Sequence, residues 1–158
     1  MKHSITTGIA FGLTSGIITT VGLMVGLNSG THSRIAVIGG VITIAVADAC
    51  SDALGIHVSE ESKNIHSDKE IWISTLSTFF SKFICALSFL VPLFIFELST
   101  AIWINSLWGI SLLGILSYIM AKAQKKNPVS VISEHIGVAV IVIFTTCCLG
   151  KWIAAWSR

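Results

Sequence analysis

The sequence predicts an all-α, polytopic membrane protein, a single domain of five transmembrane helices with a cytoplasmic N-terminus. Three observations carry that prediction. The 158 residues are 53% hydrophobic and only 11% charged, against about 25% charged in an ordinary soluble domain. The apolar residues lie in long blocks and not on the one-sided stripes of a soluble helix. Five of these blocks reach the roughly 20 residues that cross a bilayer core of about 30 Å. Such a composition excludes intrinsic disorder and a soluble binding module. A net charge of +2 is too small for a nucleic-acid-binding protein.

The first span is placed at residues 5–27. Gly8, Gly12 and Gly16 recur every four residues, and Gly22, Gly26 and Gly30 repeat the spacing. Small residues at that interval let helices approach closely, and Ser15 and Thr19 lie along the same stripe. The expectation is a parallel homodimer whose first helices pack through Gly8, Gly12, Ser15 and Gly16. This block is longer than the core of a cleavable signal, so none is expected.

The second span, 35–58, carries two acids. Asp48 and Asp52 are four residues apart and therefore share a helix face, with Asp48 near mid-span. Two carboxylates stacked this way repel each other, so either one is protonated or a cation lies between them. The third span, 71–96, includes Pro92 near its end and Lys82 near its middle. Lys82 is either an internal counter-ion for Asp48 or Asp52, displaced when a cation binds, or a structural partner facing the bundle interior. The fourth span covers 101–121. The fifth, 131–153, is the weakest, because Glu134 and His135 sit near its start. The connections are short, the longest being 59–70, which leaves no room for an extramembrane domain.

Orientation follows from the cations near span ends. Lys2, Lys63, Lys69, Lys122, Lys125 and Lys126 fall on one side, and Arg34, Lys151 and Arg158 on the other. That asymmetry puts the N-terminus in the cytoplasm. Trp72, Trp103 and Trp152 fall near the expected interfaces, as an aromatic belt requires. Cys50, Cys85, Cys147 and Cys148 all lie within spans, where core packing is expected and a disulfide framework is not.

Intramembrane acids are costly and mark ion paths, relays or internal pairs. The Asp48–Asp52 pair suits a cation-coupled transporter, with oxygens from Ser15 and Thr19 completing the shell of a hard ion. At the cytoplasmic end of the second span, His57, Glu60 and Glu61 stand at i, i+3 and i+4. They form either a weak divalent loading site or a solvated helix end. No HExxH or GxSxG motif is present, and the membrane-embedded serines and cysteines have no histidine nearby in sequence. An enzyme is therefore not expected, and neither is a cofactor.

The run Phe11-Gly12-Leu13-Thr14-Ser15-Gly16 through Gly22 and Gly26 resembles the first-helix signature of the vacuolar iron transporter family. Ala47-Asp48-Ala49-Cys50-Ser51, with Gly55 and Ser59, resembles its second-helix signature. Pro92, Ser117-Tyr118 and Gly150 agree with later features. The resemblance implies a five-helix protomer, a homodimer through helices one and two, and proton-coupled export of Fe2+ or Mn2+ from the cytoplasm. Asp48 matches the family's acid. Ser15 stands where the family has an aspartate, and Asp52 and Ile56 where it has methionine and glutamate. The cytoplasmic metal-binding insert is missing. Exchange of a thioether for a carboxylate shifts preference from iron toward harder ions such as manganese. With no targeting extension visible, a prokaryotic multi-pass plasma-membrane protein is expected. A dimeric membrane scaffold that has lost the metal ligands is the alternative.

Overall fold

A computed structural model describes residues 2–156, with side chains from Ser4. The side chain of Lys2 and all of Arg158, both used in the charge asymmetry, lie outside the described residues. The chain is all-α, and among the described residues there is no strand. The helices are α1 (Lys2–Thr31), α2 (Arg34–Ser62), α3 (Asp68–Ser88), α4 (Leu90–Ile95), α5 (Leu98–Ala123) and α6 (Pro128–Trp156). Five segments are long and apolar enough to cross a membrane, α3 and α4 together making one of them. The architecture is consistent with an integral, multi-pass membrane protein.

Local chemistry sets the ends of these helices. His32 takes the left-handed conformation at φ 49°, and its N–H donates to Asn28 O at 3.0 Å, which stops α1. One residue later, Ser33 Oγ accepts from Ala36 N at 3.3 Å and starts α2. Ser67 and Glu70 form a capping box at the start of α3. Pro128 opens α6, where its missing N–H costs no helical hydrogen bond.

The third span is not the continuous helix expected over 71–96. It breaks at Phe89, because Pro92 has no N–H for the carbonyl four residues back and its ring crowds that carbonyl. Asn105 on α5 supports the break. Its side chain is fully buried, and Nδ2 donates to Phe89 O at 2.9 Å.

α1 is the central helix. Its first glycine run faces α3, since a Cβ on Gly8 would lie 2.5 Å from Ser74 O. One on Gly12 would lie 2.6 Å from Thr78 O, and one on Gly16 3.2 Å from Lys82 Cγ. Each partner lies 66 residues further along, a constant offset that only parallel helices in register give. The second run faces α6 in the same way, Gly22 meeting Val142, Gly26 meeting Thr146 and Gly30 meeting Gly150. The six-residue step from Gly16 to Gly22 turns the helix face by about 240°. The two runs therefore seat two different neighbours.

This corrects the expectation that Gly8, Gly12 and Gly16 join the first helices of two copies. That face is already filled by α3 of the same chain. Nor is it a lipid-facing surface, as Gly8, Gly12 and Gly16 are all buried.

α2 has two small-residue faces. Val37, Val41, Ala45, Ala49 and Ala53 form the inner one and are 0–6% exposed. Gly39, Thr43, Ala47, Ser51 and Gly55, offset by two residues and so about 200° round the helix, are all exposed.

Candidate functional site

Three helices bring their middles together. Asp48 is the central residue of α2, and Ser15 and Lys82 lie within about two residues of the middle of their own spans. The α1–α3 register places Ser15 beside Lys82, because Gly16 leaves space for the lysine stem. The four-residue spacing of Asp48 and Asp52 turns both acids toward the same point.

Lys82 Nζ lies 2.5 Å from Asp48 Oδ2, 2.5 Å from Asp52 Oδ2 and 2.8 Å from Ser15 Oγ. The contact with Asp52 is a direct hydrogen bond. Asp48 Oδ2 meets the ammonium as an ion pair too oblique for a hydrogen bond, and this buried oxygen has no other partner. Both carboxylate oxygens lie within 2.5 Å of one nitrogen, so they are at most twice that distance apart. Two acids and one ammonium give the cluster a formal charge of −1.

Exposure is asymmetric. The Lys82 side chain is 2% exposed, whereas those of Asp48 and Asp52 are 26% and 20% exposed. The open side of Asp48 faces a groove of about 690 Å³ between α1 and α2, lined by Thr19, Leu23, Gly40, Thr43, Ala47, Asp48 and Ser51. Thr19 therefore shares the groove with Asp48. Its Oγ1 donates to Ser15 O at 2.8 Å and keeps its lone pairs free to accept.

The second candidate cluster does not assemble. His57 Nδ1 is 3.0 Å from Thr75 Oγ1, and its ring meets Trp72 edge-on with centroids 4.8 Å apart. Glu60 is buried and paired with Lys63 Nζ at 2.6 Å and His66 Nε2 at 3.1 Å. Glu61 is exposed. The shared helix face exists, but His57 and Glu60 are drawn to separate partners and Glu61 faces outward. Among the described residues, no three His, Cys, Asp or Glu side chains are grouped to hold a metal ion. Any ion at mid-span would need hydroxyl, carbonyl or water oxygens beside Asp48 and Asp52.

Sequence reasoning missed the Ser117–His135 pair. The α5–α6 hairpin brings Ser117 Oγ within 2.7 Å of His135 Nδ1. Ser117 donates its single proton to Leu113 O at 2.6 Å, so the imidazole N–H is the donor and the serine is not activated as a nucleophile. Also missed was the exposed stripe Gly39, Thr43, Ala47, Ser51 and Gly55, whose four-residue spacing was there to be read. The four cysteines are free, and Ser29 Oγ donates to Cys147 Sγ at 3.3 Å.

Comparison with known protein families, characterised proteins and solved structures finds no match.

Proposed function

We propose that the protein is a divalent metal cation transporter, exporting Mn2+ or Fe2+ from the cytoplasm in exchange for protons. The observation that carries this reading is the asymmetric exposure at mid-span. A charge cluster serving only to tie helices together gains from being sealed on every side, since water screens it and hydrocarbon leaves its excess charge unsolvated. Here the lysine is sealed, while the two carboxylates keep an open side and Asp48 borders a groove. Oxygen ligands of this kind suit a hard cation, and Thr19 adds a neutral oxygen on the groove side.

The same geometry supports a homodimer through helices one and two. Carboxylates opening onto hydrocarbon at mid-bilayer are costly, so a second copy covering the groove removes that cost. The uncovered stripe on α2 gives the close approach such a contact needs. In this reading the interface runs along α2 and the Thr19 side of α1.

The scaffold reading has one observation in its favour: Lys82 already bridges residues of α1, α2 and α3. Flux separates the two. Reconstituted protein should carry Mn2+ or Fe2+ across liposome membranes, faster with an opposing pH gradient, and Asp48→Asn should lose that flux while remaining folded. Normal flux through Asp48→Asn, or none through the wild type with any of iron, manganese, cobalt, zinc and calcium, would remove the transporter reading.

A further inference from the structure

The transport reading gives Lys82 no part in releasing the ion, yet its nitrogen occupies the centre of the site. Nζ is held by Asp48 Oδ2 and Asp52 Oδ2 at 2.5 Å and by Ser15 Oγ at 2.8 Å. Divalent ions of the calcium and manganese class take oxygens at roughly 2.1–2.6 Å. An ion bound by the two carboxylate oxygens would sit close to where the nitrogen now sits, and two cations do not share one point in a low-dielectric interior.

We infer that Lys82 is a tethered competing cation: its ammonium holds Asp48 and Asp52 between turnovers, yields to an arriving divalent ion, and expels that ion on its return. This rests on the cation-site reading above and adds the release step to it. A transport site must bind its ion well enough to load and weakly enough to unload. Two carboxylates with nothing to compete for them favour loading alone. A positive charge on a flexible four-carbon stem, anchored on α3 and never leaving the neighbourhood, supplies the opposing half.

The stem is packed closely against α1. Gly16 lies against it, where a Cβ would come within 3.2 Å of Lys82 Cγ and 3.4 Å of its backbone. Ser15 Oγ offers a neutral acceptor that the ammonium can keep when it leaves the acids. The lysine is 2% exposed whereas Asp48 and Asp52 are 26% and 20% exposed, and Asp48 lines the groove, so an arriving ion reaches the acids before the ammonium.

The test measures Mn2+ binding by the loss of the free-ion magnetic resonance signal, and Mn2+ flux in liposomes, using the full chain. Lys82→Met keeps the length of the stem and removes its charge. It should bind Mn2+ roughly tenfold or more tightly and turn over more slowly, so affinity and rate move in opposite directions. Lys82→Arg, whose planar fork holds two carboxylates more firmly, should bind Mn2+ more weakly than the wild type. Adding Asp52→Asn to Lys82→Met restores the cluster's formal charge and should return affinity toward the wild-type value. If Lys82→Met binds no more tightly, or turns over as fast as a wild type that transports, the competing-cation inference is overturned while the transport reading stands. If neither wild type nor variant binds or moves Mn2+ or any of iron, cobalt, zinc and calcium, both fall. Should Lys82→Met not fold, the Arg variant decides, and affinity equal to or above the wild type counts against the inference.

Discussion

Lys82 on α3 and Asp52 on α2, thirty residues apart in sequence, meet through a hydrogen bond of 2.5 Å between Nζ and Oδ2 at mid-span. Asp48 reaches the same nitrogen at the same distance without hydrogen-bond geometry. The two acids are therefore unequal. Asp52 holds the lysine, and Asp48, beside the groove, is the one more open to an arriving ion.

That inequality predicts a stability order. Asp52→Asn removes a charge-assisted hydrogen bond from a buried ammonium and should lower stability by on the order of 2–3 kcal/mol. Asp48→Asn should cost less, because the Asp52 bond survives. Thermal unfolding in detergent gives both values. A reversed order would show that the groove-facing acid is the structural one, and an equal one that both hold the lysine alike.

Gly12→Ala should also destabilise the bundle. Its Cβ would meet Ser81 Oγ and lie 2.6 Å from Thr78 O, a backbone atom that cannot rotate away. Overpacking of this kind costs about 1–3 kcal/mol. The same change at Gly39, which has nothing within 4 Å, should leave the isolated protomer unaffected. Paired melting curves check the contrast.

Assembly is tested by crosslinking. In a background without Cys50, Cys85, Cys147 and Cys148, Thr43→Cys should form a covalent dimer on mild oxidation in the membrane. Thr43 is exposed and lines the groove. Ile115→Cys, on α5 and 59% exposed, is the control expected to stay monomeric. Crosslinking through residue 115 in preference to 43 would place the interface elsewhere.

Asn105→Ala should weaken the junction of α3 and α4. It removes the donor to Phe89 O and leaves a cavity among Met24, Phe89 and Gly109. The loss is on the order of 1–3 kcal/mol. Amide exchange should rise most in Leu90–Ile95. Uniform protection loss across the bundle would instead show that Asn105 acts on the whole core.

The sequence by itself determined the five spans and the chemistry at their centre. Span length follows from bilayer thickness, and a charged residue in an apolar block stands out wherever it points. The 3.6-residue period alone puts Asp48 and Asp52 on one face. The same arithmetic rotates the second glycine run of α1 away from the first. Tertiary structure decided which neighbour each face met. A helix in lipid is apolar all round, so no polar stripe tells its inner side from its outer. Gly8, Gly12 and Gly16 could as well have met a second copy as α3. Which acid bonds Lys82, and that His57 turns to Thr75 and Trp72 and away from Glu60, depends on distances between segments that periodicity does not encode. Packing of α1 and α2 against α3 fixed those distances, and with them the point where a lysine, two aspartates and a serine converge.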